Sequence, residues 1–285
     1  KDKKYKVYIS SNFNKKGKLS FGELFIKGKS KKEILIHTYI CHPQLANNEV
    51  SGPVVTTYLA KYFLKKKNNF SIRFLFMPET IGPIAYIKKN IQKLKNNVIG
   101  GYVITCVGDE RNYSFLESRE KLSLSNKIAK ETFKKLNIKY KNYSFLKRGS
   151  DERQYNSPGI NLPIASIMRT KYGEYPEYHT SEDNFKVVTK KGLTDSYKLI
   201  KKIIENLDKK TIPVAIHKCE PFLSKRNLYP KISTGKIETF YQNLLDFIVY
   251  SDGKNSLEEI GKIIKVEKKN LKRIYNILLK NNLIY

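Results

Sequence analysis

The sequence contains no apolar run approaching the roughly 20 residues that a helix needs to cross a bilayer. It also lacks the basic head, apolar centre and small-residue cleavage site of a secretory signal, so no membrane partner is expected. Cysteine is scarce: the three residues Cys41, Cys106 and Cys219 have neither C-x-x-C nor zinc-knuckle spacing, and they read as reduced thiols of a cytoplasmic protein. Arginine is scarce too. The formal charge of +29 comes overwhelmingly from lysine, scattered with Asn and Ile along the whole chain. Nucleic-acid surfaces concentrate charge and use the arginine fork, so this lysine reads as the compositional bias of an AT-rich genome, with some general affinity for polyanions. Phosphate loops, dinucleotide fingerprints and G-x-S-x-G elbows are all missing.

What is present suffices for a sizeable core and about two domains in 285 residues. The chain opens on Lys1 rather than Met, and its first residues read as strand, so a preceding segment is expected. Residues 5–10 and 20–27 alternate apolar and polar around Asn14-Lys15-Lys16-Gly17, a hairpin signal. From Glu33 onward strands at 34–36, 71–76, 101–106 and 162–168 alternate with helices at 54–65, 84–94, 122–136 and 193–207. That order predicts an α/β fold with a largely parallel or mixed sheet. A Pro/Lys-rich stretch from 212 reads as a linker. The tail reads as helices at 239–250, 256–264 and 268–281, and a Ser256/Glu259 capping box starts the second. Its outline is helix-turn-helix or winged helix.

Ligands of such sheets sit beyond the carboxyl ends of the strands, where His42, Glu79, Asp109 and Asp151 all fall. His42 leads from a strand into Pro43, and alone it reads equally as a helix-capping side chain; His37 reads as packed core. Glu79 in Pro78-Glu79-Thr80-Ile81-Gly82 is a pre-positioned carboxylate suited to a general base, or else a favourable charge at a helix start. Asp109 follows a strand through Gly108, with an Asx turn as the plainer reading. Asp151 could orient a ligand histidine. Residues 172–184 form a loop crowded with Tyr, Glu, His and Asp, a site candidate in its own right.

The segments CHPQLANNEVSGP, FMPETIG, CVGDERNYSF and the stretch from RGSDERQ to YHTSEDN resemble the co-catalytic zinc aminopeptidase superfamily. With the tail after CEPFLSKRNLYP, the match is closer to bacterial aminopeptidase-like proteins that carry a C-terminal winged helix and are associated with polysaccharide biosynthesis. The resemblance implies a three-layer mixed sheet with flanking helices, plus a small all-α winged-helix module. It divides the chain into 1–30 (the end of a β-rich inserted domain whose start is missing), 31–211 (the aminopeptidase-like domain), 212–235 (linker) and 236–285 (winged helix). Carried over residue by residue, it makes His42, Asp109 and His179 metal ligands and Glu79 the base that takes a proton from water at the metal. Asp151 and Asp183 become supporting residues, and Arg169, Tyr175 and Tyr178 substrate contacts.

Two positions depart from the superfamily: Asn48 stands where a bridging Asp belongs and Thr80 where a ligand Glu belongs. Both changes remove negative charge. A neutral amide bridges two divalent cations poorly, and a hydroxyl is a weak zinc ligand, so one zinc is expected rather than two, with Asn48 at most a weak ligand. The implied function is zinc-dependent hydrolysis of an amide bond in a peptide-like or amino-sugar-derived small molecule. The alternatives are a decayed peptidase scaffold that binds a ligand or regulates, and a DNA-binding protein acting through Lys268, Lys269, Lys272 and Arg273. Self-association stays open.

Overall fold

A computed structural model describes residues 3–42, 44–229 and 239–285. Pro43 and residues 230–238, where the end of the expected linker and the start of the expected tail fall, lie outside the described residues.

Seven strands form one sheet among the described residues. In chain order they are β1 (Gly22–Ile26), β2 (Ser30–Tyr39), β3 (Phe70–Met77), β4 (Val98–Ile104), β5 (Ser114–Leu116), β6 (Lys141–Tyr143) and β7 (Ile164–Met168), arranged β1-β3-β2-β4-β7-β5-β6. The central strands β3, β2, β4 and β7 run parallel, so their carboxyl ends share one edge, while β1 and β5 pair antiparallel with β3 and β7. Successive side chains of a strand point to opposite faces, and β2 shows what that does here. Ile34 and Ile36 pack into the core under α1 (Ser51–Leu64), α3 (Leu124–Lys135) and α5 (Lys190–Asp208). Leu35 points the other way, against α2 (Ile81–Asn97) and the short α4 (Glu152–Tyr155). The result is helix, sheet, helix: a three-layer mixed α/β domain with buried strands.

A single π-helical turn, Ala46–Val50, leads into α1. Gly52 in that first helical turn is obligatory, because a Cβ there would sit 2.6 Å from the Ile104 carbonyl oxygen of β4. Only a bare backbone lets α1 start this close to the sheet edge, which is where the candidate residues gather.

Two expectations are corrected. Residues 5–10 form no strand and are exposed; the 14–17 turn exists, but the following strand, β1, extends the main sheet beside β3 rather than closing a hairpin or a separate β-rich domain. In the described part of the segment after 212 the chain is likewise tied down. Val214 and Tyr285 exchange backbone hydrogen bonds of 3.1 and 3.0 Å, and Ala215 N–H donates to Ser251 O at 2.6 Å. This small β element belongs to the tail module of α6 (Thr239–Val249), α7 (Leu257–Ile263) and α8 (Lys268–Lys280). That module has its own core of Leu244, Phe247, Ile260, Ile274, Leu278 and Leu283, and its Ser256/Glu259 capping box is present. Ion pairs tie it to the α/β domain, among them Lys127–Glu259 at 2.8 Å and Lys254–Glu120 at 3.4 Å. No helix among the described residues is long and apolar enough to cross a membrane.

Candidate functional site

The loops after β2, β3, β4 and β7 meet at the carboxyl edge of the sheet. His42, from the β2 loop, and His179, from the loop after β7, approach with ring centroids 5.0 Å apart. Both are exposed and line a pocket of about 610 Å³ together with Gln44, Leu45, Thr180 and Ser181. His179 holds φ of +58°, a backbone region that non-glycine residues enter at a cost and usually for a reason. Tyr178 stacks on its ring at 4.0 Å, fixing the imidazole toward His42.

The carboxylate beside His42 is Glu49, a residue the sequence reading quoted in its motif without giving it a role. Glu49 is buried, and its Oε1 lies 3.0 Å from His42 Nδ1 while its Oε2 accepts the Cys41 N–H at 2.9 Å. The Asn48 side-chain amide also donates to Glu49, leaving the buried Asn48 Oδ1 with no donor among the described residues. Ligand atoms of Cys41, His42 and Glu49 all lie within 4.8 Å of one another. The π-helical turn makes this possible: it turns the phase of the backbone so that Asn48 and Glu49, adjacent in sequence, both present polar groups to one place. Asp183 caps the turn, accepting the N–H groups of Asn47 at 2.6 Å and Asn48 at 3.0 Å.

Glu79 enters from the β3 loop. Its Oε1 accepts the Ser150 hydroxyl at 2.8 Å. Partial burial pushes its carboxyl above the usual range, the Ser150 hydrogen bond opposes this, and the negative charges of Asp151 and Glu49 add to the rise. The next residue, Thr80, has φ of +62°, an outlier for a β-branched side chain. Two contacts hold it: its N–H donates to Asp151 Oδ1 at 2.8 Å, and its hydroxyl accepts from Arg153 at 2.9 Å. Asp151 is thus a positioning residue for the Glu79 turn. It does not orient a ligand histidine; its other oxygen meets His37 Nε2 at 2.7 Å in a fully buried contact. The Tyr178 hydroxyl is kept protonated, its pKa pushed up to about 12 by burial first and then by nearby negative groups that include Glu79 and Glu49.

Three other candidates are placed elsewhere. Asp109 is buried and accepts four hydrogen bonds from the protein: Thr170 N–H at 3.0 Å, Thr170 Oγ1 at 2.7 Å, Arg111 N–H at 2.9 Å and Asn47 Nδ2 at 3.2 Å. A carboxylate offers about four acceptor positions; these four bonds take up those of Asp109, which is not among the residues lining the pocket of the histidine pair. Tyr175 is buried, donates to Asp183 at 3.1 Å and packs against Tyr178 from behind. Arg169 lies over the Tyr113 ring and lines a different pocket, sharing no lining residue with His42 and His179.

Residues 9–210 match the family described as domain of unknown function DUF4910, and residues 211–285 match winged helix-turn-helix. The chain belongs to the DUF4910 family. Its aminopeptidase-like character is shared by a Clostridium acetobutylicum protein, named for polysaccharide biosynthesis with an aminopeptidase-like domain, which is 40% identical over 262 residues. That alignment covers 91% of this DUF4910 chain and 60% of the relative. A crystal structure from C. acetobutylicum, described as a "putative peptidase", superposes with a TM-score of 0.66 at 37% identity, over 93% of this chain and 60% of that one. The fold also extends to an aminopeptidase of Aneurinibacillus sp. strain AM-1, with a TM-score of 0.57 and 18% identity over 65% and 47% of the two chains. The zinc aminopeptidase of Bacillus subtilis follows at 0.55 and 17%, over 67% and 50%. The DUF4910 chain thus spans about 60% of the length of its C. acetobutylicum relatives, and its α/β domain has the aminopeptidase fold.

Proposed function

We propose that this chain carries a single-zinc amide hydrolase site in which Glu79 moves the proton. The observation that carries the reading is the convergence of His42, His179 and Glu49 beside Glu79 at the carboxyl edge of the parallel strands. The donor set fits zinc: two imidazoles and a carboxylate are ordinary zinc ligands, with the Cys41 thiol at hand and the orphaned Asn48 Oδ1 a buried oxygen in want of a positive partner. Glu49 brings back the negative charge that Asn48 and Thr80 lack relative to the aminopeptidase pattern. A bound zinc would polarise the scissile carbonyl and acidify water.

The chain's own groups account for the rest. Glu79 has one oxygen occupied by Ser150; the other, which has no hydrogen bond among the described residues, can accept a proton from the attacking water. The rise in its pKa brings it toward the values that suit a base which must later act as an acid. The water oxygen bonds to the carbonyl carbon, the C–N bond breaks, and Glu79 returns the proton to the leaving nitrogen. Tyr178 O–H, still protonated, can donate to the negative oxygen that develops at the carbonyl.

The name of the C. acetobutylicum relative joins polysaccharide biosynthesis to an aminopeptidase-like domain, which supports both an N-acylated amino sugar and a peptide-like amide as substrate classes. The three free cysteines favour a cytoplasmic setting. Lys268, Lys269 and Lys272 on α8 are exposed and give the winged helix a basic face for DNA or an acidic protein. Screening the purified full chain, with zinc added, against N-acetyl amino sugars and aminoacyl amides tests the function. Release of acetate or amine that Glu79→Gln abolishes supports it; zinc-loaded protein inert toward both classes contradicts it.

A further inference from the structure

Away from the histidine pair, the structure holds a buried cation that makes no ion pair among the described residues. Arg169 follows β7 directly, and its N–H donates to Cys106 O at 2.8 Å, which pins the backbone at the sheet edge. The side chain is only 4% exposed, and its guanidinium lies 3.9 Å from the centre of the Tyr113 ring. The buried Nε and Nη1 have no acceptor among the described residues. A guanidinium cannot shed its proton to escape this, and a buried charge without a counter-ion is costly. The tyrosine face offsets part of that cost but supplies no negative charge.

Arg169 lines a pocket of about 350 Å³ with Lys139, Lys141, Arg111 and Glu110. The acids nearby are already engaged. Glu110 accepts from Thr189 at 2.6 Å and pairs with Lys191 at 3.0 Å, and Glu177 takes both ends of the Arg111 fork at 2.8 and 2.7 Å. Glu174 reaches Lys141 only at 3.9 Å, and Lys139 has no ion pair among the described residues. Arg169, Lys139 and Lys141 therefore line one small cavity, Lys141 with only the long pair to Glu174 and with Glu110, already held by Thr189 and Lys191, as the acid beside them. Three such charges suit a dianion better than a single carboxylate. A planar guanidinium whose Nε and Nη1 lack acceptors among the described residues, backed by two ammonium groups, is an arrangement that holds phosphate oxygens.

We infer that this pocket binds the phosphate group of a small phosphorylated ligand, with Arg169 as its anchor and Lys139 and Lys141 closing over it. The site is independent of the zinc reading: it shares no lining residue with the His42 pocket, and it stands or falls without hydrolysis.

The test uses the full chain and inorganic phosphate, titrated calorimetrically, with potassium chloride at matched ionic strength as the control for the general basicity of the protein. Phosphate is expected to bind saturably at one site. Arg169→Gln should abolish binding, and the paired peripheral change Lys139→Gln with Lys141→Gln, which leaves the core untouched, should weaken it about tenfold. Three results would overturn the inference: phosphate no more effective than chloride, acetate binding as tightly as phosphate, or the lysine variant binding like the parent protein. The lysine pair keeps the test decisive if Arg169→Gln fails to fold.

Discussion

His37 Nε2 and Asp151 Oδ2 meet at 2.7 Å with both side chains fully buried, and the second oxygen of the same aspartate accepts the Thr80 N–H at 2.8 Å. One carboxylate thereby joins the middle of β2 to the strained turn that presents Glu79. Replacing Asp151 by Ala strands a buried imidazole nitrogen and an N–H, which should cost about 3 kcal/mol. Urea unfolding measures that loss, and an unchanged midpoint would deny Asp151 its structural part.

Glu79→Gln changes charge but hardly shape. Zinc content and thermal stability are expected to stay at parental levels, while turnover falls about a hundredfold or more. Elemental analysis beside an amide-hydrolysis assay reads both quantities on one sample. Retained turnover would remove Glu79 from the proton transfer.

Glu49 and Asp109 can be separated by paired substitutions. Glu49→Gln takes away the carboxylate touching His42 and should weaken zinc at least tenfold. Asp109→Asn should leave zinc in place and instead destabilise the fold by about 2 kcal/mol, because it disturbs four hydrogen bonds that tie the loops after β4 and β7 together. Zinc lost in the Asp109 variant and kept in the Glu49 variant would reverse the assignment.

The tail module should be sensitive to acid through Glu259. Burial alone would raise its carboxyl, but the Lys127 bridge and the Ser256 cap outweigh it and hold it below the usual range. A depressed folded-state pKa means that the stabilisation is full above the unfolded value, about 4.3, and is lost as pH falls through the folded one. Far-UV circular dichroism between pH 6 and pH 3 (approximate limits chosen around that carboxylate range) should show α7 loosening with acid. Glu259→Gln should remove much of that dependence while keeping the capping box, since a Gln oxygen still accepts the Ser256 N–H, and should cost only about 0.5 kcal/mol at neutral pH through the lost Lys127 pair.

Much of this arrangement was legible beforehand, for definable reasons. β2, β3, β4 and β7 each carry an apolar stretch because their middles are buried on both faces, and the helices between them show the apolar stripe that the sheet covers. The edge where they end followed from the parallel order, so His42 and Glu79 were placed correctly relative to the sheet. β5, β6 and α4, with three, three and four residues, are too short to show a period. Alternation at 5–10 describes a surface that could pair, and nothing in a local pattern reveals that no strand does. Glu49 escaped notice because a π-helical turn breaks the regular phase by which neighbours on a helix are counted. Asp109 was misleading for a different reason: its oxygens are taken by Thr170, distant in sequence, and no local signal reports that.

The most direct test of the central claim is anomalous diffraction at the zinc edge from crystals of the full chain grown with zinc. The account predicts one strong peak between His42 and His179 and beside Glu49, absent from a His42→Ala, His179→Ala double variant. A map with no peak there, or with the ion seated at Asp109, would contradict it.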